Sequence, residues 1–213
     1  MDTIKSKYHE TLAATVIKNL EKRQMEGYYC PTVEDAEKLA FSFLKDGQNV
    51  SFGGSMTLEE TGMLTALRHD PSIHLIDRST AKTTEETKKM YHDALSSDVY
   101  FMSTNAITTD GELVNIDGTG NRVAALIYGP ETVIILAGMN KIAANVDEAL
   151  SRVHNVATAQ NCIRLGKKTP CAITGVCADC LSPDCICNQV VITRRSGIKG
   201  RIKVLLIGES FGY

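Results

Sequence analysis

Two short runs without a polar residue limit what this chain can fold into. Val99, Tyr100, Phe101 and Met102 form the first, and residues 133–137, Val-Ile-Ile-Leu-Ala, form the second. A strand wetted on one side alternates apolar and polar residues, so a run without alternation must be covered on both faces, as in a parallel sheet flanked by helices. Further strand-length segments fall at 49–52, 73–77, 190–193 and 202–207. Helical patterns separate most of them. This order predicts an α/β fold of three layers, a mainly parallel sheet with helices on both faces.

The first helical pattern opens the chain. Tyr8, Leu12, Val16 and Leu20 recur every four residues beside Ala13 and Ile17, which predicts an amphipathic helix within an N-terminal extension, residues 1–30, ahead of a main domain, residues 31–213. Its stripe needs a cover, either the same domain or a second copy of the chain in a homodimer. Gly27 to Pro31 end the helix, with Tyr28-Tyr29-Cys30 expected as a packing patch. Thr32 with Asp35, Thr57 with Glu60, and Thr83 with Glu86 have capping-box spacing and predict three more helices, the second running from Leu58 to about His69. Asn145 and Glu148 introduce a long helix expected to turn Val146, Ala149, Leu150, Val153, Val156, Ala157 and Ile163 inward, with Gly166 as its stop.

After Met102 the chain turns polar at Ser103-Thr104-Asn105, the carboxyl end of the buried strand. In open α/β sheets that edge faces the ligand crevice. Asp110-Gly111 predicts a hairpin turn into a short strand at 113–116. Gly118 and Gly120 then lead into a short helix through Asn121 and Arg122. A glycine-preceded helix start offers free N–H groups, and Arg122 adds a forked donor, so a small anionic molecule is the expected ligand. Gly53-Gly54-Ser55 repeats the arrangement after the first strand. Lys141, following residues 133–137, falls at the same edge.

Charge excludes some partners. The formal net charge is −2, from 23 basic and 25 acidic residues without long runs of either sign, so neither nucleic acid nor an anionic membrane has a footprint here. No apolar run has the length of a signal-peptide core or a membrane span, which predicts a cytoplasmic protein. There is also no nucleotide-cofactor fingerprint.

Five of the seven cysteines fall at 171, 177, 180, 185 and 187, in a segment spanning 170–188. That density favours a local thiol function in a reducing compartment over a chain-wide disulfide framework. Soft ligands at short spacing can wrap one zinc ion or iron–sulfur cluster. Reduced or bridged thiols that stiffen the loop are the alternative.

Four blocks together carry a family resemblance: FGGSMTLEETGML, STNAITTDGELVNIDGTGNRVAALIYGPETVIILAGMNKI, TPCAITGVC and KGRIKVLLIGESFGY. They resemble the LUD-domain family of lactate-utilisation proteins. The resemblance implies a fold similar to the superfamily of ribose-phosphate isomerase, CoA-transferase and glucosamine-phosphate isomerase, and a link to oxidation of L-lactate, where family members accompany iron–sulfur proteins. It makes Gly53, Gly54, Ser55, Thr104, Asn105, Ala106, Asp110, Gly111, Asn115, Gly118, Gly120, Asn121, Arg122, Gly208 and Glu209 pocket candidates. It also makes Cys171, Cys177, Cys180 and Cys187 the ligand set for zinc or an iron–sulfur cluster, with Cys185 as an extra. Three functions follow as expectations: an accessory or electron-transfer component of 2-hydroxy-acid oxidation with an iron–sulfur partner, an isomerase or transferase acting on a phosphorylated or CoA-linked molecule, or a noncatalytic ligand-binding or scaffold module. Unlike the isomerases, the chain has no lysine-glycine-glycine segment after its central strand.

Overall fold

The computed structural model describes residues 3–213. In chain order its elements are α1 (Thr3–Lys22), β1 (Glu26–Cys30), α2 (Val33–Ser42), β2 (Asn49–Phe52), α3 (Met56–Glu60), α4 (Met63–His69), β3 (His74–Ile76), α5 (Thr84–Leu95), β4 (Val99–Met102), β5 (Ala106–Thr108), β6 (Leu113–Asp117), α6 (Asn121–Ile127), β7 (Thr132–Gly138), β8 (Ile142–Ala143), α7 (Val146–Arg152), α8 (Ala159–Arg164), α9 (Pro170–Thr174), β9 (Gln189–Thr193) and β10 (Ile202–Ile207).

Six strands form a wholly parallel sheet in the order β1-β10-β7-β4-β2-β3. Its centre is where the apolar runs are. Val133, Ile135 and Ala137 of β7 face a core shared with Ala13, Val16 and Leu20 of α1 and with Leu126 of α6. Ile134 and Leu136 face the other way, onto Ala36 and Ala40 of α2 and Leu64 and Leu67 of α4. The alternation between layers explains why neither side of this strand tolerates a polar residue. A second, mixed sheet of four short strands, β8-β5-β6-β9, stands beside the first. The hairpin expected at Asp110-Gly111 is its β5–β6 pair, with Ile107 opposite Leu113.

Several local expectations need correction. The Tyr28-Tyr29-Cys30 patch is the edge strand β1, paired in parallel with β10 from Glu26 opposite Lys203 to Cys30 opposite Ile207. Two tyrosines and a cysteine after a glycine looked like loop packing, but they suit a half-buried edge strand equally well. The stripe of α1 is covered by the chain's own sheet. The helix expected at 58–69 is two helices, because Gly62 adopts a left-handed φ of 73° between α3 and α4. The cap of α3 is Ser55, whose hydroxyl accepts from the Leu58 N–H, not Thr57. Glu60 instead accepts the N–H of Gly212.

The long helix after Asn145 is interrupted by a π-helical stretch, Val153–Thr158. Each π turn holds an extra residue and rotates everything after it. As a result Ala149, Val153 and Ala157 are buried as expected, but Val156 and Ile163 are exposed, and Cys162 takes the inward position.

Candidate functional site

Segments leaving β2 and β4 go to opposite faces of the sheet. After β2 the chain enters α3 and α4, which pack on one face, whereas after β4 it enters the second sheet and α6, which cover the other. A crevice opens between them at the carboxyl edge, where such a divergence places ligand sites. Here it is a cleft of about 470 Å³ bordered by Gly54, Ser55, Ser103, Thr104, Asn105, Asp117, Gly118, Arg122 and Lys141, among others. That volume is in the range of small-molecule pockets.

Arg122 is the best-anchored charge in the cleft wall. Nη1 donates to the Ser103 carbonyl (3.2 Å) and to Asn115 Oδ1 (2.6 Å), and Nη2 donates to Asn105 Oδ1 (2.9 Å) and the Ile116 carbonyl (3.0 Å). Nε lies 3.7 Å from the Asp117 carboxylate. Burial pulls its pKa below the ordinary guanidinium value, against the opposing effect of Asp117. With its fork committed to protein oxygens, Arg122 ties the end of β4 to β6 and supplies a positive field to the cleft. The forked donor expected for an anion is here spent on these four bonds.

Gly53 and Gly54 allow this close packing. A Cβ at Gly53 would stand 2.9 Å from the Tyr100 hydroxyl and 3.1 Å from Arg122 Cγ; one at Gly54 would stand 2.2 Å from Arg78 Nη2. The Arg78 guanidinium itself lies over the Tyr91 ring, 5.7 Å from its centroid. Each helix start expected to bind anions has one first-turn N–H taken by a side chain. Ser55 caps α3, and the Asp117 carboxylate accepts the Val123 N–H in the first turn of α6 at 3.2 Å.

Lys141 is 4% exposed. Its amine donates to the main-chain oxygen of Tyr213 at 2.9 Å, and among the described residues no Asp or Glu side chain lies within ion-pair distance of it. Desolvation, reinforced by Arg152 and Arg122, pulls its pKa down to about 7, with Glu60 acting weakly in the other direction. Arg152 bridges the ends of β7 and β4, donating to the carbonyls of Asn140 (2.9 Å) and Asn105 (2.8 Å). The last residues are strapped across the same edge. Asn140 Oδ1 accepts from the Phe211 N–H (3.1 Å) and its Nδ2 donates to the Gly212 carbonyl (3.2 Å), which brings Tyr213 to the cleft.

The far wall was not anticipated. Thr158, Asn161, Arg164 and Lys167 reach the cleft from the π turn, α8 and the loop beyond. Arg164 and Lys167 bracket the predicted helix stop and look like ordinary basic residues of a last turn. Arg164 stays exposed at the cleft's rim, its guanidinium donating to Asn161 Oδ1.

Of the remaining candidates, Ala106 is buried in the second sheet with Val114, Ile116 and Ala143. Asn115 is fully buried behind Arg122, and its Nδ2 has no hydrogen-bond partner among the described residues. Gly120 and Asn121 line a separate shallow depression with Tyr91, His92 and Val191. Gly208 and Glu209 face another hollow, beside α1. Asp110 and Gly111 form the hairpin turn and are outside the cleft.

Of the four cysteines expected to share a metal, Cys171 and Cys187 sit close to other thiols, Cys162 and Cys185 respectively, whereas Cys177 has a different neighbour. Cys171 is buried against Cys162, with the Thr169 hydroxyl 3.3 Å from its sulfur. Cys177 lies 3.7 Å from His154 Nδ1, and Cys187 lies 3.6 Å from the Thr158 hydroxyl. Burial raises the Cys187 thiol to about 11 and pushes Cys162 up as well. Among the described residues, no group of three or more His, Cys, Asp or Glu side chains is placed to hold a metal ion. As folded here, the set does not fit zinc or an iron–sulfur cluster, either of which needs about four converging ligands. Nor is any described helix long and apolar enough to cross a membrane.

Fold and site together define a three-layer α/β protein with a basic cleft at the carboxyl edge of its sheet. The chain belongs to the LUD domain family, whose model matches residues 13–207. Among solved structures it is similar to a DUF162 family protein from Deinococcus radiodurans, at 12% identity over 93% of this chain and 98% of that one, with a TM-score of 0.53. This likeness concerns the fold. Ribose 5-phosphate isomerase A from Neisseria gonorrhoeae matches more weakly, at 13% identity over 52% of each chain and a TM-score of 0.33. No curated protein matches the chain.

Proposed function

We propose that this LUD-domain protein binds a small carboxylate, a 2-hydroxy acid or its 2-oxo counterpart, as an accessory component of L-lactate oxidation whose electrons are carried by an iron–sulfur partner. One observation supports the ligand class most directly. Arg122, Lys141, Arg164 and Lys167 border the cleft, and the carboxylate among its lining residues, Asp117, is already engaged by Arg122 and the Val123 N–H. A cleft with that balance concentrates anions. Family membership supports the pathway.

Calorimetric titration with L-lactate, pyruvate, ribose 5-phosphate and a CoA ester tests the reading. Saturable binding of the first two is expected, with weaker or no response to the others. Selective binding of the phosphate or the CoA ester would instead favour an isomerase or transferase.

A further inference from the structure

We propose that Cys162 and Cys171 form a reversible disulfide behind the far wall of the cleft, and that this bond weakens carboxylate binding by displacing the wall. The effect on affinity rests on the carboxylate-binding reading of the cleft, whereas formation of the bond does not.

Placement supports the pair first. Cys162 of α8 and Cys171 of α9 pack together with Ala159 in a small apolar cluster closed by Ala172 and Ile186, and the two thiols are hydrogen-bonding neighbours. Both are free. Among the described residues no group of three or more His, Cys, Asp or Glu side chains is placed to hold a metal, so two facing sulfurs suit two-thiol chemistry instead.

Cys162 is 1% exposed and Cys171 6%, so an oxidant that reaches them must be small, and it meets Cys171 first. The Thr169 hydroxyl, 3.3 Å from the Cys171 sulfur, can donate to it as a thiolate. With hydrogen peroxide, the Cys171 sulfur attacks one oxygen, the O–O bond breaks, and a sulfenic acid forms while the other oxygen leaves as water. The Cys162 sulfur then attacks the sulfenic sulfur, and its proton leaves with the hydroxyl as a second water. Two thiols are oxidised and one peroxide is reduced. Excess small thiol reverses the bond by exchange.

The connection to the cleft is short. Asn161 and Arg164, on either side of Cys162 in α8, border the cleft, as does Lys167, whose N–H donates to the Cys162 carbonyl at 2.9 Å. Ile186, packed on the thiol pair, borders it too. Bond formation brings the sulfurs from contact to about 2 Å, which draws α8 toward α9. Arg164 and Lys167 then leave the positions from which they balance a bound carboxylate.

Thiol mapping and calorimetry on the intact chain test the proposal. The reduced protein is treated with hydrogen peroxide, the peroxide is removed, and the remaining thiols are alkylated after denaturation. Trypsin with Asp-N then separates Cys171 from Cys180, Cys185 and Cys187. The expected product is a Cys162 peptide joined to Cys171, with Cys177 alkylated, and dithiothreitol should abolish it. Pyruvate should bind the oxidised chain about fivefold or more weakly than the reduced one. Cys162→Ser and Cys171→Ser, each checked for folding by circular dichroism, should keep the reduced-state affinity and lose both the bond and the response to peroxide. Cys162 alkylated after peroxide treatment, or joined to Cys185 instead, would overturn the proposal, as would the expected bond with pyruvate affinity unchanged. In each of these cases the carboxylate-binding reading stands. Absence of saturable pyruvate binding to the reduced chain removes that reading and with it the proposed control of affinity.

Discussion

Asn115 and Arg122 hold one another at the base of the cleft: Asn115 Oδ1 accepts from Arg122 Nη1 at 2.6 Å and also from the Asn105 N–H at 3.3 Å. These two bonds fix the amide orientation and leave Nδ2 as a buried nitrogen without a hydrogen-bond partner among the described residues. The site is thus built on a polar network that spans the ends of β4 and β6.

Removing Arg122 should therefore damage the fold before it damages binding. Arg122→Ala removes a donor from two buried carbonyls and from two side-chain amides that keep only a backbone N–H each, and the expected loss is about 3–5 kcal/mol in urea unfolding. Arg122→Lys should recover only part of it, because one ammonium cannot reproduce a planar fork. A loss under about 0.5 kcal/mol for the alanine variant, the usual surface range, would show that the network is not structural.

Ile135 tests the two-faced burial of the sheet. It is fully buried in β7 between α1 and the neighbouring strands. Ile135→Ala should cost roughly 2–5 kcal/mol through lost burial and the cavity left behind. A near-neutral result would contradict the central placement of this strand.

The glycine pair separates packing from chain flexibility. Gly53→Ala pushes a methyl group against the Tyr100 hydroxyl and the Arg122 stem, both held in place, whereas Gly54→Ala meets only the far end of Arg78. Thermal melts should show a loss of roughly 1–3 kcal/mol for the first and clearly less for the second. Equal losses would argue against close packing at Gly53.

Lys141 makes stability depend on pH in a defined direction. Its folded pKa, about 7, lies below the ordinary 10.5, so between those values the unfolded chain binds more protons and stability rises with pH. The penalty for keeping the charged form buried is complete below the folded pKa and disappears above the unfolded one. Relative to wild type, Lys141→Met should therefore be favoured by on the order of a few kcal/mol more at about pH 6 than at about pH 11. Parallel unfolding curves for the two proteins across that interval would show that the amine is not desolvated.

What was legible in the sequence follows from the strength of each signal. β4 and β7 could be placed to within a residue or two because an unbroken apolar run has few other solutions. Gly54, Ser55 and Lys141 border one cleft because they follow β2 and β7, whose carboxyl ends share a side of the parallel sheet, whereas Gly118 reaches it from antiparallel β6 and Gly120 lies in a separate depression. β1 was missed because two half-buried tyrosines after a glycine do not distinguish an edge strand from a loop. The far wall has no sequence signal because Arg164 and Lys167 carry no motif and resemble the ordinary basic residues of a helix end. The resemblance gives Cys171, Cys177, Cys180 and Cys187 as a ligand set, whereas Cys162, just ahead of the cysteine-rich segment, comes inward after the π turn and packs against Cys171.

The most direct test of the account is calorimetric titration of pyruvate and L-lactate into wild type and into Arg164→Ala/Lys167→Ala, whose side chains are absent from the hydrogen-bond network around Arg122. Wild type should bind with one site per chain. The double variant should fold normally and bind about 5- to 150-fold more weakly, the equivalent of roughly 1–3 kcal/mol of charge-assisted interaction. Unchanged affinity in a folded double variant, or no saturable binding of either acid to wild type, would contradict a carboxylate-binding cleft.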